Sequence, residues 1–334
     1  MLYIGSVFCF VNSITCAAPP GAINYWNKKM VFDRELNDNL TLMGKDNGPR
    51  YIGPLLALLV IVIIAAVVYY AFIHRASSAP GAADQAEKPA ISAKAGQKML
   101  GVVKSLVESN DLVSARRHCQ DLLHGASDQA AQAEAEQQLG RINMGLLLSP
   151  APMPEKIEYV VKSGDILERL AKENGTTVDL IRKCNALDGK IIHPGDRLRI
   201  FNAKLSIVIS KSRNDLLLKA NDAFFKRYRV GTGKFGNTPV GTFIVADKIS
   251  EPPWWRPDGK MIPFGDKENV LGTRWMSLSA TGETPKLRGY GIHGTWEPET
   301  IGKQASAGCV RMHNAEVEEL FLVVPVGTPV TIVE

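Results

Sequence analysis

The six residues from Ser149 to Pro154, S-P-A-P-M-P, divide the chain into two kinds of sequence. Proline fixes φ and has no N–H to donate, so no helix crosses such a stretch, which acts as a semi-rigid hinge. Before it, apolar residues recur at helix spacing: Met99, Val102, Val103, Leu106 and Val107 in one run, then Leu112 to Leu123, then Ala130 to Leu148. Asn110 and Asp111 separate the first two runs. Beyond it, Leu205 to Val333 holds short apolar runs between Gly, Pro and Asn turns, the pattern of an all-β sandwich or barrel. The helices of 90–150 amount to about one unit of a TPR-like pair, which excludes a superhelical array. They are expected to form a helical stalk, with docking of a protein partner as the alternative.

A second apolar stretch sets the topology. Leu55 to Ile73 carries no charge and is about nineteen residues long, enough to cross a bilayer core of roughly 30 Å. Tyr69 and Tyr70 suit the interface. Lys28, Lys29, Arg34, Lys45 and Arg50 precede the run, and only His74 and Arg75 follow closely. That excess of basic residues puts the N-terminus inside and the long C-terminal part outside. The expectation is a cytoplasmic or disordered N-terminus (1–53), one transmembrane helix (54–74), a linker (75–89) and the stalk (90–150). Residues 1–20 lack the basic start of a secretory signal, and Cys16 follows a poor lipobox. Localisation would be the cytoplasmic membrane, single-pass, with the long C-terminal part in the periplasm or cell-wall space. The net charge of +5 is modest and does not point to nucleic acid. Five cysteines without paired spacing argue against a disulfide scaffold, although one Cys119–Cys184 bridge stays open.

Ile157 to Ile200 has the order strand, helix, helix, strand. Tyr159 to Val161 reads as the first strand. Ser163-Gly164-Asp165 caps a helix from Ile166 to Glu173, Thr177 to Asn185 forms a second, and a Pro194-Gly195 turn leads to a strand from Arg197. The motifs Y-x-V-x-x-G-D-x-L, N-x-L and I-x-P-G-x-x-L-x-I resemble a LysM domain, placed at 156–201. The resemblance implies binding of N-acetylglucosamine-containing glycan, in bacteria the peptidoglycan backbone. It also implies a groove between Ser163, Gly164, Asp165 and Ile166 on one loop and Ala186, Leu187, Asp188 and Gly189 on the other. His193 reads as a surface loop residue.

The 204–334 segment carries the chemistry. Its long stretch from Glu251 to Gly272 has no clear period and reads as a binding loop or lid, in which Trp254 and Trp255 either line a substrate path or pack inward. Asn314 is expected to cap a helix from Ala315 to Val323. The decisive run is Tyr290 to Asn314, Y-G-I-H-G-T-W-E-P-E-T-I-G-K-Q-A-S-A-G-C-V-R-M-H-N. A thiol attacks carbonyl carbon as thiolate, and a neighbouring imidazole can take its proton. Gly308 lets backbone N–H groups approach a reacting carbonyl, and Arg311 adds positive charge that lowers a thiol pKa and can bind carboxylate. Cys309, His293 and His313 offer only three candidate zinc ligands, one fewer than a structural site uses.

H-G-T followed by S-x-G-C-V-R-M resembles the YkuD-type L,D-transpeptidases, and G-T-G-K-F-G-N-T-P-V-G-T-F extends the likeness. Ala307 stands where many members have His. The resemblance implies a peptidoglycan L,D-transpeptidase, a cysteine acyltransferase that needs no metal or cofactor. Cys309 is then the nucleophile and His293 the proton acceptor and donor. The Gly294 carbonyl orients the imidazole, and Gly308 N–H, with that of Cys309, holds the oxyanion. Ser306 hydrogen-bonds nearby, and Arg311 shapes a pocket that Tyr290, Thr295, Trp254 and Trp255 would line. Two alternatives remain from the sequence: an L,D-carboxypeptidase, in which water resolves the thioester, and a LysM wall-binding protein with an idle catalytic fold.

Overall fold

A computed structural model describes residues 91–187, 189–286 and 288–334. The expected membrane span at 54–74, the N-terminal segment and the 75–89 linker lie outside the described residues. Among the described residues, no helix is long and apolar enough to cross a membrane.

Three helices come first: α1 (Ala93–Glu108), α2 (Leu112–Gly125) and α3 (Gln129–Leu148). Each starts at a side chain that accepts from an otherwise unpaired N–H of the first turn: Ser92, Asp111 and Asp128. Asn110 takes a left-handed φ of 59°, which turns the chain between α1 and α2.

These helices do not form a free stalk. Leu139, Ile142, Leu146 and Leu147 of α3 share one core with Ile207, Leu216, Leu218 and Phe225 of the following sheet. The Nδ2 of buried Asn143 donates to the Phe225 carbonyl at 2.8 Å, and Arg227 reaches Glu136 through Nε at 2.7 Å. The physical reason is an exposed edge. Strand β5 (Ala223–Arg229) ends the sheet, and an uncovered apolar edge would offer itself for pairing with another chain. Helix α3 covers it.

The small module follows as β1 (Lys156–Val160), α4 (Leu167–Glu173), α5 (Val178–Cys184) and β2 (Arg197–Phe201). Antiparallel β1 and β2 pair from Lys156↔Phe201 to Val160↔Arg197, and Leu167, Leu170, Ile181, Leu198 and Ile200 fill a small core. The expected capping of α4 by Ser163-Gly164-Asp165 is not what holds it, because its N-cap is Ile166, with no side-chain hydrogen bond. The Asp165 carboxylate instead accepts from the Lys162 N–H (2.7 Å), the Tyr159 hydroxyl (2.8 Å) and Arg169 (2.6 Å).

The C-terminal part is one curled, mixed sheet of eight strands rather than a sandwich. Its order is β13 (Val310–Arg311), β11 (Gly291–His293), β10 (Arg274–Ala280), β7 (Gly241–Ser250), β14 (Pro329–Val333), β3 (Leu205–Ser210), β4 (Asp215–Ala220) and β5. Neighbours are antiparallel except β11/β13 and β14/β3. The other pairs are small: β12 (Gln304–Ser306) with β6 (Thr232–Gly233), and β8 (Trp254–Trp255) with β9 (Met261–Ile262). The short apolar runs between turns marked the strands but could not say what buries the sheet. Helices do so, with Val317, Leu320 and Val323 of α6 (Asn314–Val323) joining the same core as α3. The N-cap of α6 is His313, and Asn314 is its first residue.

Cys119 and Cys184 are free and buried, and burial pushes each thiol up to about 11. An ion pair joins α2 to the stretch before β1: Arg116 Nη1 and Nη2 meet the Glu155 carboxylate at 3.0 and 2.5 Å, both side chains nearly buried. Removing one partner leaves the other charge uncompensated. Arg116→Met is expected to destabilise the protein by about 3 kcal/mol, read from urea unfolding midpoints. A double replacement with Glu155→Leu should recover much of that loss.

Candidate active site

The site is built at the β13 end of the sheet. Strands β11 and β13 run parallel with Ile292↔Val310 and His293↔Arg311 in register, and the Met312 N–H donates to the His293 carbonyl at 2.8 Å. Cys309 immediately precedes β13, so the pairing brings the two chemistry-bearing residues to one edge. The Cys309 thiol donates to the Gly289 carbonyl at 3.4 Å.

His293 is buried, and its Nδ1 lies 2.6 Å from the Gly294 carbonyl oxygen. A carbonyl accepts only, so Nδ1 carries the proton and Nε2 keeps its lone pair. Trp275, opposite His293 on β10, tilts against the imidazole at 5.7 Å between ring centres. Burial drives the His293 pKa down to about 4, and the nearby Arg311 charge adds to the fall. Hydrogen bonding to the backbone of Gly294 and Leu271 opposes it, which is the support an imidazolium would need during a reaction. Gly294 has no room for a side chain: a Cβ there would sit 2.1 Å from Asn314 Oδ1. Asn314 therefore does not cap its helix. Its Oδ1 accepts from the Thr273 N–H at 3.3 Å and ties the start of α6 to the strand below His293.

Around the thiol, Ser306 Oγ donates to the Cys309 carbonyl (2.6 Å) and accepts from the Gly308 N–H (3.0 Å). Gly308 N–H is thus engaged, which removes it from the oxyanion role expected of it and leaves the Cys309 N–H. Gly308 has φ 149°, and a Cβ would meet the Tyr290 ring at 2.7 Å, so Tyr290 packs directly over the turn. Burial raises the Cys309 pKa, against smaller lowering effects from the Gly291 backbone and Arg311. The expected net lowering by Arg311 is therefore outweighed. The Arg311 guanidinium is also shared: Nη1 donates to Glu297 at 2.7 Å, with Thr300 Oγ1 at 3.4 Å. Buried Thr295 accepts from the Glu297 N–H at 3.1 Å and so shapes the loop that supplies Arg311's partner.

Other predicted residues stand apart or do different work. Trp254 is half-buried and Trp255 exposed, on the β8/β9 hairpin opposite Ile262 and Met261. In the small module Ile166 is exposed, Leu187 packs against its core, and Asp188 lies outside the described residues. The Gly164 carbonyl accepts from Arg169 at 3.0 Å. Asp165 serves the turn as described, so its carboxylate is already committed.

Four further residues were not identified from the sequence. Thr238 is buried, accepts from the Gly233 N–H (2.7 Å) and donates to the Gly308 carbonyl (2.9 Å), which fixes the nucleophile's turn to β6. Its place in the G-N-T-P-V turn was visible, but its partner is seventy residues away. Asn269 is also buried: Nδ2 donates to the Pro252 carbonyl (2.9 Å), and Oδ1 accepts from the Leu271 N–H (2.9 Å), closing the long loop on itself. Trp296 and Phe264 face one another at 6.4 Å and line a cavity of about 530 Å³ with Gly265, Asp266 and Lys267. Trp296 follows H-G-T directly, which was the available signal.

This is the frame of a cysteine acyltransferase. The profile of the YkuD L,D-transpeptidase catalytic domain matches residues 204–332, and the LysM profile matches 159–201. Similar proteins bear L,D-transpeptidase names. YqjB of Bacillus subtilis is 41% identical over 129 residues, covering 38% of this chain and 70% of that protein. YkuD of Bacillus licheniformis is 35% identical over 182 residues, covering 52% of this chain and 97% of its own. YkuD of Bacillus subtilis is 32% identical, covering 53% and 98%. The chain belongs to the YkuD family of L,D-transpeptidases.

Two outcomes follow from these environments. Thr238→Val should leave the Gly308 carbonyl and Gly233 N–H unpaired, at a cost of about 1–3 kcal/mol, and should lower Cys309 alkylation by iodoacetamide at least tenfold. Thermal melting and a timed labelling series measure the two effects separately. His293 has its folded pKa below its unfolded value of about 6.5. The unfolded state therefore binds more protons between about pH 4 and 6.5, and stability should fall as pH drops through that window. Urea midpoints against pH, compared with His293→Gln, read the effect; equal slopes in both proteins would contradict it.

Proposed function

We propose that the chain forms peptidoglycan cross-links by acyl transfer through a Cys309 thioester. The observation that carries this is the β11/β13 pairing, which sets a buried, Nδ1-protonated His293 beside the strand that Cys309 opens. Burial disfavours both charged forms, so the resting pair is a neutral thiol and a neutral imidazole. As Cys309 Sγ attacks the carbonyl carbon at the third residue of a tetrapeptide stem, its proton passes to His293 Nε2. The Cys309 N–H is placed to receive the developing oxyanion. Collapse breaks the peptide bond, His293 returns the proton to the leaving D-Ala amine, and the acyl group remains on sulfur. An acceptor amine then attacks the thioester and gives its proton to His293, which returns one to the thiolate. No metal or cofactor is required by any step.

The setting is part of the same reading. The apolar run at 54–74 would anchor the chain with its N-terminus inside and its catalytic part facing the wall. The LysM module would hold GlcNAc-containing glycan. The helical segment packs on the catalytic sheet, which supports a structural role for it rather than a docking role for a protein partner.

Incubation of residues 86–334 with disaccharide-tetrapeptide should yield cross-linked dimers and free D-Ala, separated by reverse-phase chromatography, with both lost in Cys309→Ala. Tripeptides alone would mark a carboxypeptidase and overturn transfer. The rate of D-Ala release should rise with pH through the His293 pKa near 4 and then stay level across neutral pH, because the neutral thiol and neutral imidazole are the reacting forms. A rate that is still climbing through the ordinary thiol range would contradict the neutral resting pair.

A further inference from the structure

The small module is joined to the catalytic domain rigidly, and this has a consequence for substrate choice that rests on the glycan-binding reading above. Both chain ends of the module are clamped. At its entry, the Lys156 ammonium donates to the carbonyls of Leu146 (2.5 Å), Ser149 (2.7 Å) and Ala151 (3.2 Å), which closes the S-P-A-P-M-P stretch onto the end of α3. Glu155 beside it holds Arg116, and its carbonyl accepts from the Asn202 N–H at 3.0 Å. At its exit, only Asn202, Ala203 and Lys204 separate β2 from β3, with Ala203 buried and the Lys204 N–H bound to Asn221 Oδ1 at 2.9 Å.

The faces are joined as well. Thr177 Oγ1 donates to the Leu322 carbonyl in α6 at 2.6 Å, and Cys184 Sγ donates to the Leu147 carbonyl in α3 at 3.1 Å. Phe201, the last residue of β2, meets Phe225 of the sheet edge at 5.8 Å in an edge-to-face pair. Leu180, Cys184 and Phe201 belong to the main core rather than to the module's own. Rotating the module would break these polar contacts and open that core together.

We infer that the LysM module is a fixed offset gauge: it holds the donor glycan strand at one distance and direction from Cys309. A stem then gains from the module only when the same strand extends far enough, on one side, to fill it; shorter strands react at a basal rate. A flexibly tethered module would raise local concentration gradually with strand length, whereas a rigid one contributes nothing until the strand spans both sites. Stems near one strand end would react only at that basal rate.

The test uses the full-length chain and glycan oligomers of one, two, three, four and six disaccharides bearing tetrapeptides. The comparison is a loosened variant carrying Lys156→Met, Thr177→Val and a Gly-Gly-Ser-Gly insertion after Asn202. D-Ala release gives kcat/KM, glycan pull-down gives binding, and hydrogen exchange across α5 verifies the loosening. The wild type should show a step of about tenfold or more in kcat/KM at one strand length. The variant should keep its activity on the single disaccharide and its glycan binding, and should replace the step with a gradual rise. The same sharp step in the verified loosened variant, or no length dependence in a wild type that binds glycan, would overturn the gauge while leaving the glycan reading intact. Absence of glycan binding by the wild type would remove both, with transfer to the single disaccharide still testing the catalytic reading by itself.

Discussion

The parallel pairing of β11 with β13 is the contact on which the site depends. Three residues and two residues form it, far fewer than an independent sheet would need. It persists because its neighbours leave it no alternative. Trp275 backs His293 from β10, Asn314 fills the space where a Gly294 side chain would be, and Tyr290 fills the space over Gly308. Gly231 closes the outer edge, exchanging backbone hydrogen bonds with Arg311 at 2.8 Å in each direction. Two short strands are thus fixed by packing around them rather than by their own length.

The same packing sets the electrostatics. Burial, nearly complete for His293 and partial for Cys309, favours the uncharged form of each, and the charge on Arg311 is not enough to reverse this for the thiol. In the proposed reaction proton transfer accompanies carbon–sulfur bond formation, and the Gly294 and Leu271 backbone supports the imidazolium that forms. The Arg311–Glu297 pair also tempers how much of the guanidinium's charge reaches the thiol, which makes the Thr295 loop part of the electrostatics.

Much of this was legible in the residues. The helix runs, the strand–helix–helix–strand module and the H-G-T and S-x-G-C-V-R motifs are local patterns, and each appears close to its expected place. What was not legible depends on distant partners. Short apolar strands do not name what covers them, so they read as a sandwich, although helices α3 and α6, each expected as a helix, are what cover the sheet. The S-P-A-P-M-P stretch has the composition of a hinge, but Lys156 bonds three of its surrounding carbonyls and holds it still. Thr238 and Asn269 act through single hydroxyl and amide groups whose partners are remote or are backbone atoms, and composition carries no trace of those. Gly308 was placed correctly as a backbone requirement, yet its N–H serves Ser306.

The account stands most directly on the covalent intermediate. Residues 86–334 mixed with a tetrapeptide stem and no amine acceptor, quenched in acid and weighed by intact-protein mass spectrometry, should carry the stem less its terminal D-Ala, mapped by peptide digestion to Cys309. Release of D-Ala with no adduct in the wild type at any quench time, or an adduct that persists in Cys309→Ala, would contradict it.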